Sequence, residues 1–598
     1  MTLGPASPMA EDPSSPLGAT PVGSGTRFAL WSTTARVAAV RLFDGAGRPQ
    51  RTERLEPLGE GLFVRTLAGV GPGALYKFVL DDRELPDPYA RFLPDGVHGP
   101  ARVEPVVSEG ARRAFEALPF ERWSIYELHV GAFTSEGTWD AARERLDGLV
   151  ELGVTTIEVM PVAAFAGARG WGYDGVALFA PHASYGSPEA LRGFVAACHE
   201  RGLAVILDVV YNHFGPAGNY LGAYAPEYFT SRHATMWGDA PDFAEPHLRR
   251  LVLANARYWL QEFEFDGLRL DATHAIVDDS PTHILSELAS LAAGLSPRRI
   301  LVAEDERNEP GLVTAQHLDA VWADDFHHAL AVALTRERDG YYEAYEPCAS
   351  GLARTIEQGW LYEGQVYPPS GCPRGCPATR LAASNLVYCV QNHDQVGNRP
   401  FGTRLHQDAG IEAYAAASVL LLFLPMIPLL FMGQEWAASS PFLYFTDHDA
   451  ELGRAVTQGR RGEFRHFRGF ADPELAAQIP DPQAESTFLR SRLDWTERTA
   501  TPHARILALY KTLLALRARD LVLSSPSRAR MACEARGALL VIRRWLGAEE
   551  RVLLFNTGSE AVEAPVPVPI EDLLVASADV PSGRQIPPLC AVVVRRPR

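Results

Sequence analysis

The chain has 598 residues and carries 56 basic against 73 acidic side chains, so its formal charge is −17. This acidic balance argues against a nucleic-acid binder. A content of 47% hydrophobic and 22% charged residues is typical of a folded enzyme and excludes a disordered, coiled-coil or collagen-like chain. Seven scattered cysteines form no even framework, which indicates a reducing cytoplasm without disulfides.

The amino-terminal part predicts a tail and a small β-domain. Residues 1–15 have neither the basic nor the apolar region of a secretory signal, and we expect a disordered tail there. Residues 16–105 consist of short β-type runs separated by Gly, Pro and Asp. This pattern predicts an N-terminal β-sandwich.

Residues 106–518 predict a (β/α)8 TIM barrel. Eight apolar runs that end in polar residues alternate with amphipathic helices, a pattern typical of a parallel barrel with its active site at the carboxyl ends of the strands. The runs are IYELHV, TTIEVMP, LAVILDVV, DGLRLDA, ILVAED, DAVWADD, NLVYCVQNHD and PLLFMGQE. A doubly wound sheet is the alternative. Residues 212–246 lack periodicity and predict a loop excursion that shapes a substrate cleft. Residues 519–598 return to β-runs and predict a C-terminal β-sandwich.

One uncharged segment, residues 413–432, is long enough to cross a bilayer. Pro425 and Pro428 would break such a helix two-thirds of the way along. We therefore expect a buried helix that ends near Leu424 and a short buried strand over residues 429–432, without membrane association.

Four acidic residues follow or end apolar runs, and in a barrel all four would lie at the carboxyl ends of strands: Asp208, Asp271, Glu304 and Asp394. Buried carboxylates are costly unless they are paired or used in chemistry. Arg269 precedes Asp271 by two residues, so both face the same side of one strand, and the cation favours an ionised carboxylate suited to a nucleophile.

Glu304 is the natural general acid, because burial and a facing carboxylate both raise the pKa of a carboxyl group. Asp394 supplies a third charge that can hold sugar hydroxyls as the ring flattens towards an oxocarbenium ion. A gap of about 5 Å between the two reacting carboxyls implies retention of anomeric configuration, and about 6.5–9.5 Å implies inversion.

Other side chains near these strand ends suit a sugar. His213 and His393 can donate hydrogen bonds to hydroxyls, and each stands beside a strand end that carries an acid. Trp171 and Tyr173 in GWGYDG can stack on a pyranose face or pack within the protein.

The segments VILDVVYNH, GLRLDATHA, ILVAED and VQNHD resemble the four signature regions of the α-amylase superfamily of retaining glycoside hydrolases and transglycosylases. The resemblance implies that Asp271 is the nucleophile, Glu304 the acid/base and Asp394 the residue that stabilises the transition state. It also implies that the sugar-binding positions of the superfamily fall on Arg269, His213, His393 and Tyr173.

Within the superfamily, segments such as RGWGYDGVALFAPHASYGSPE, AEDERN, WADDFHHAL and NHDQVGNRPFG resemble the maltooligosyltrehalose trehalohydrolases. This resemblance implies hydrolysis of the α-1,4 bond next to a terminal trehalose unit, on a substrate made by a separate synthase with no implied stable complex. It also implies a carbohydrate-binding-module-like domain over residues 16–105. The family holds sugar with segments that contain further candidates here: His274, Asp324, Asp325, His328, Gln395 and Asn398.

We expect no cofactor and no metal. The calcium site of α-amylases uses the position of Asn212, but the trehalohydrolase group does not require it. The pair Cys372 and Cys376 lacks a neighbouring His or second Cys pair and predicts a loop rather than a zinc site. The segment 371–379 is matched least well by the resemblance.

Three alternatives to the hydrolase stay open. A branching enzyme would use the same three acids to pass the glycosyl group to a sugar hydroxyl. A debranching enzyme or a non-catalytic glucan-binding protein is disfavoured, the latter because Asp271, Glu304 and Asp394 are all present.

Overall fold

The computed structural model describes residues 16–106, 115–235, 237–463, 467, 471–581 and 583–598. At its centre, eight parallel strands close into a barrel, with neighbours in chain order. The strands are Ile125–Leu128, Thr156–Val159, Ala204–Val209, Gly267–Leu270, Ile300–Ala303, Ala320–Trp322, Leu386–Cys389 and Ile427–Phe431, called barrel strands 1 to 8. Each predicted apolar run forms one of them, so the barrel is confirmed and the doubly wound sheet was wrong. The predicted tail over residues 1–15 lies outside the described residues.

The strands are buried on both faces, which explains their continuous apolar character. Their inner faces form an apolar cluster that includes Ile206, Val302 and Leu429. Their outer faces meet helices in the main core of the protein. The helices of eight or more residues are Pro188–Glu200, Pro246–Arg257, Ile284–Gly294, Asp325–Thr335, Ala349–Gln358, Ile411–Phe423, Ala450–Glu463 and His503–Arg519.

The shorter helices lie mainly in connections: Val130–Phe133, Trp139–Arg143, Leu146–Leu152, Leu221–Tyr224, Gly311–Thr314, His393–Gly397, Leu405–Ala409, Pro473–Ala476 and Glu485–Arg490. The helix over Pro188–Glu200 shows why such elements form here. The side chain of Ser187 accepts a hydrogen bond from the Ala190 N–H, and Pro188 occupies the first turn, where no donor is needed.

The uncharged segment divides as expected. A buried helix ends at Phe423, and barrel strand 8 begins at Ile427, two residues earlier than predicted. Pro425 lies between the two elements. Among the helices that the structure describes, none combines the length and the apolar character needed to cross a membrane.

The N-terminal domain is built from two antiparallel sheets. Its strands are Gly18–Val22, Gly25–Trp31, Ala38–Phe43, Pro49–Arg54, Glu56–Gly59, Leu62–Ala68, Leu75–Leu80, Arg83–Leu85 and Ala101–Arg102. The C-terminal region has five antiparallel strands in one sheet and two in another: Met531–Arg536, Leu539–Leu546, Glu549–Asn556, Leu573–Ala576 and Cys590–Pro597, with Val562–Val568 and Gly583–Ile586. The domain boundaries after residues 105 and 518 stay predictions.

Short two-stranded sheets lie on the connections: Ala163–Ala164 with Ala177–Pro181, Phe229–Thr235 with Gly238–Pro241, and Val366–Tyr367 with Cys372–Pro373. The second pair is a hairpin inside the excursion after barrel strand 3. The N-terminal domain packs against this excursion and the helix that follows it, since the Ser32 hydroxyl donates to the Tyr224 carbonyl at 2.7 Å and the Trp31 ring stacks on His247 with centroids 3.7 Å apart. The small domain therefore supports the loop that reaches the barrel mouth.

Candidate active site

Arg269 joins the acids at the mouth of the barrel. Its fully buried guanidinium donates from Nη1 to both oxygens of Asp208, at 2.9 Å each, and to Asp271 Oδ1 at 2.7 Å. Its Nη2 lies 3.6 Å from Glu304 Oε2. Asp208 and Arg269 are neighbours in the register of barrel strands 3 and 4, and Asp271 and Glu304 directly follow strands 4 and 5. The sequence prediction that these acids meet on one rim agrees with this placement.

Asp271 is held in a form suited to nucleophilic attack. The Asn212 amide donates to its Oδ2 and to its carbonyl, both at 2.8 Å. Burial pushes the pKa of Asp271 upwards, but the charges of Arg269 and His213 and the hydrogen bonds from Asn212 and Arg269 outweigh burial and hold the pKa below its usual value. The carboxylate is therefore ionised at neutral pH.

Glu304 has the opposite electrostatic environment. Burial raises its pKa well above the usual value, and the charges of Asp271, Asp394 and Asp324 raise it further against the opposing effect of Arg269. The main-chain N–H of Ala272 donates to Glu304 Oε2 at 2.6 Å. Ala272 has a φ of +39°, so a left-handed turn directly after Asp271 brings this donor to the second acid. One carboxyl is thus ionised and its neighbour keeps a proton.

Asp394 lies on the first turn of the short helix His393–Gly397 and is the most open of the three acids, with 37% of its side chain exposed against 13% for Asp271 and 15% for Glu304. The Asn398 amide donates to its Oδ1 at 3.1 Å. His393 Nε2 lies 3.4 Å from its Oδ2.

Tyr173 connects the two halves of the site. Its hydroxyl donates to Asp208 Oδ2 at 2.6 Å and lies 2.8 Å from His393 Nε2. Its carbonyl is 2.7 Å from His213 Nε2. Its ring stacks on the His393 ring with centroids 5.1 Å apart, so much of the ring is already used inside the protein.

The mouth opens into a cavity of about 630 Å³. Predicted site residues on its wall are Trp171, Tyr173, His213, Asp394 and Asn398. Trp171 also packs: its ring stacks on Phe442 with centroids 5.1 Å apart and its indole N–H donates to the Leu443 carbonyl. The cavity wall further includes Trp237, from the hairpin of the excursion, and Arg460, from the helix Ala450–Glu463. Sequence reasoning missed both, because neither stands at a strand end.

Two adjacent aspartates of the predicted DDFHH segment have different surroundings. Burial and the charge of Asp394 raise the pKa of Asp324 to about 6, and the charge of Asp324 in turn raises the pKa of Glu304. Asp325 is fully buried and accepts hydrogen bonds from Asn308, Leu361, Tyr362 and Tyr345. Its side chain is therefore occupied inside the fold rather than directed to the cavity.

Three predicted residues complete the set. His328 Nδ1 lies 3.1 Å from the Tyr345 hydroxyl, and burial lowers the pKa of His328 well below its usual value, so its ring is neutral. Gln395 is buried beside it. His274 lies on the turn after Asp271 and is 27% exposed, with its Nε2 3.9 Å from Glu306.

Three buried acids were not among the predicted site residues. Asp208 was noticed as a strand end but given no role, and it pairs with Arg269. Glu127 on barrel strand 1 and Glu158 on barrel strand 2 are neighbours in the register and fully buried. The sequence signal was available, because each is an acid within an apolar run of IYELHV or TTIEVMP.

The residues do not form a metal centre in the described part of the chain, where no three His, Cys, Asp or Glu side chains group suitably. The Asn212 amide, at the position of the α-amylase calcium ligand, is instead committed to Asp271 through its nitrogen and to His213 through its oxygen. The donor set at this position therefore does not fit calcium.

Comparison with known proteins places the chain among carbohydrate-active enzymes. Residues 86–233 match the model of the alpha amylase catalytic domain, and residues 16–90 match carbohydrate-binding module 48, the isoamylase N-terminal domain. A Malto-oligosyltrehalose trehalohydrolase of Deinococcus radiodurans is 52% identical over 574 residues, covering 94% of each chain. A 1,4-alpha-glucan branching enzyme of Corynebacterium efficiens is 30% identical over 526 residues, covering 78% of this chain and 66% of its own.

A solved structure agrees with this assignment. The structure of a candidate alpha amylase from Salmonella typhimurium superposes with a TM-score of 0.87 at 37% identity, covering 97% of this chain and 99% of its own. The extent and level of identity to the trehalohydrolase exceed those to the branching enzyme. The chain therefore belongs to the maltooligosyltrehalose trehalohydrolases of the α-amylase superfamily.

Proposed function

We propose that this protein hydrolyses the α-1,4-glucosidic bond next to the terminal trehalose unit of maltooligosyltrehalose and releases trehalose. The observation that carries the proposal is the pair of carboxyls on one guanidinium, with Asp271 ionised and Glu304 protonated, beside a cavity wide enough for sugar rings. Family membership supports the choice of substrate.

The first step forms a covalent intermediate. A carboxylate oxygen of Asp271 bonds to C1 of the glucose unit before the scissile bond, while Glu304 transfers its proton to the glycosidic oxygen, and trehalose leaves as the neutral alcohol. In the second step, ionised Glu304 takes a proton from water, whose oxygen bonds to C1 as the bond to Asp271 breaks. Two inversions at one carbon retain the anomeric configuration.

The remaining charges act on the sugar as positive charge develops at its ring. Asp394 is the most exposed acid and is suited to hold hydroxyls through the transition state. His213 lines the same wall, where its ring nitrogens contact the Asn212 side chain and the Tyr173 carbonyl. His393 is buried, with its ring nitrogens directed to Glu127 and to the Tyr173 hydroxyl. Arg269 keeps Asp271 ionised and in place. The sugar-binding set proposed around them comprises Trp171, Tyr173, His274, Asp324, Gln395 and Asn398, with Trp237 added from the cavity wall.

Asp325 and His328 take a supporting part in this proposal. Both are buried and both contact the Tyr345 hydroxyl, so they shape the segment that carries Asp324 rather than contact sugar themselves.

The cysteine chemistry bears on the cellular setting. All seven cysteines are free, which supports a reducing cytoplasm. A separate synthase must supply the trehalose-terminated substrate, and the proposal requires no stable complex with it.

Product analysis tests the proposal against the branching alternative. Purified protein is incubated in parallel with maltooligosyltrehalose and with amylose, and products are separated by anion-exchange chromatography. Release of trehalose from the first substrate supports the hydrolase. New α-1,6 linkages in amylose without trehalose release would establish the branching enzyme, and no reaction with either substrate would contradict both activities.

A further inference from the structure

A buried glutamate outside the signature segments, Glu127, makes two hydrogen bonds to His393, the residue next to Asp394. Glu127, on barrel strand 1, is fully buried, and both of its carboxylate oxygens contact His393. Its Oε2 accepts the main-chain N–H of His393 at 3.0 Å, and its Oε1 accepts a hydrogen bond from the His393 ring at Nδ1. Because His393 opens the helix His393–Gly397, this two-point contact fixes the first turn, which carries Asp394.

The hydrogen bonds around His393 determine its protonation state. Nδ1 faces the Glu127 carboxylate, which only accepts. Nε2 faces the hydroxyl oxygen of Tyr173, whose hydrogen is already donated to Asp208, and the carboxylate of Asp394 at 3.4 Å. Both ring nitrogens therefore meet acceptors, and only an imidazolium donates from both.

We propose that Glu127 is a positioning residue of the active site, which holds His393 as an imidazolium and thereby fixes the position and charge environment of Asp394. This inference rests on the function proposed above. It adds a residue from barrel strand 1 to a site whose other acids lie at the ends of strands 3, 4, 5, 6 and 7.

The surrounding charges agree with this geometry. Groups that face His393 are Glu127, Glu158, Asp208, Arg269, Tyr173, Asp394 and His129. Burial lowers the pKa of His393, but Asp394 and Glu127 raise it more than burial and Arg269 lower it, and the pKa reaches about 9. Loss of the Glu127 charge would therefore release the imidazolium proton at a lower pH.

Glu158 provides a matched control in the same barrel interior. It lies beside Glu127 in the strand register and is equally buried. Within the described residues neither of its carboxyl oxygens has a hydrogen-bond partner. Burial raises the pKa of Glu158 well above its usual value, and Glu127 and Asp208 raise it further, so this carboxyl is neutral at pH 7. An uncharged glutamine reproduces its shape and charge, whereas glutamine at Glu127 removes a charge.

The test compares Glu127→Gln with Glu158→Gln. For each variant, kcat/KM for trehalose release is measured from pH 5.5 to 8.5 and divided by the wild-type value at the same pH, which cancels the titration common to both proteins. We expect the Glu158→Gln ratio to stay near one and flat. The Glu127→Gln ratio is expected to fall about threefold across this range, because loss of a carboxylate within hydrogen-bond distance lowers a histidine pKa by about one unit, here from about 9.

A Glu127→Gln ratio that does not change with pH would overturn the inference, since a purely structural defect lowers activity equally at every pH. If that variant does not fold, the wild type decides: NMR of histidine labelled at Cε1, with the His393 signal assigned by its loss in His393→Gln, must show an imidazolium at pH 7.5. A neutral ring there contradicts the inference. Failure of the wild type to release trehalose would instead refute the proposed function, so the two failures are distinguishable.

Discussion

The sequence resemblance places Asp325 among the sugar-binding residues. Replacing Asp325 by Asn tests whether its role is structural instead. The carboxylate accepts four hydrogen bonds, from the Asn308 side chain, the main-chain N–H groups of Leu361 and Tyr362, and the Tyr345 hydroxyl. It also lies 3.3 Å from Nη2 of Arg374, whose side chain is 13% exposed. Arg374 directly follows the short strand Cys372–Pro373.

The expected cost follows from these partners. The amide oxygen of Asn can keep the N–H donors on one side, but its NH2 group then faces Arg374, which is itself only a donor. Breaking a buried ion pair by removing one partner costs about 3–5 kcal/mol. Because Arg374 is slightly exposed, we expect a loss of unfolding free energy at the lower end of this range, about 3 kcal/mol. For a folding unit of several hundred residues this corresponds to a fall of roughly 5 °C in the melting midpoint.

Asp324→Asn is the matched control, because the neighbouring carboxyl interacts electrostatically with Asp394 and Glu304. Both variants are measured by differential scanning fluorimetry and by kcat/KM at 25 °C. Asp325→Asn is expected to lower the midpoint while losing less than about tenfold in kcat/KM. Asp324→Asn is expected to leave the midpoint unchanged or higher, since it relieves repulsion with Asp394, and to lose more than about tenfold. An unchanged midpoint with a hundredfold loss of activity in Asp325→Asn would refute this reasoning and return Asp325 to the sugar site.

Three further outcomes are expected. Asp271→Asn and Glu304→Gln should each lower kcat by about 10⁴-fold or more while the protein still folds, as each removes an obligatory step; near-normal rates by product chromatography would contradict both roles. Glu158→Gln should stabilise the protein increasingly as pH rises from 5 to 8. The folded-state pKa of Glu158 is raised, so in the wild type the contribution of this residue to stability is complete below its unfolded-state pKa and is lost as pH rises towards its folded-state pKa, whereas glutamine does not titrate. A midpoint difference that is constant with pH would oppose this. Dialysis against EDTA should leave kcat unchanged, because the Asn212 amide is committed to protein partners; activity restored only by calcium would contradict that expectation.

Local patterns in the sequence determined the barrel and the candidate acids. Eight buried parallel strands must be apolar on both faces, so each appears in the sequence as a continuous apolar run that can be recognised without knowing which strands lie beside it. Because parallel strands place their carboxyl ends together, an acid that ends such a run is already assigned to the mouth. The sequence alone therefore predicts that four acids lie on one rim of the barrel: Asp208, Asp271, Glu304 and Asp394.

Only the tertiary structure decided which partner each charge has. Glu127 contacts His393 across 266 positions of sequence, and Asp324 and Asp325 are adjacent yet lie in different surroundings. The periodicity of a strand shows which side of the sheet a residue faces, but it does not show which residues from distant parts of the chain it contacts. In a low-dielectric interior, those contacts determine the pKa of a buried group and hence whether it is ionised. The proton on Glu304 and the charge proposed for His393 therefore depend on carboxyl groups from other strands that the closed barrel brings together, whereas the pairing of Asp271 with Arg269 follows from their spacing on one strand.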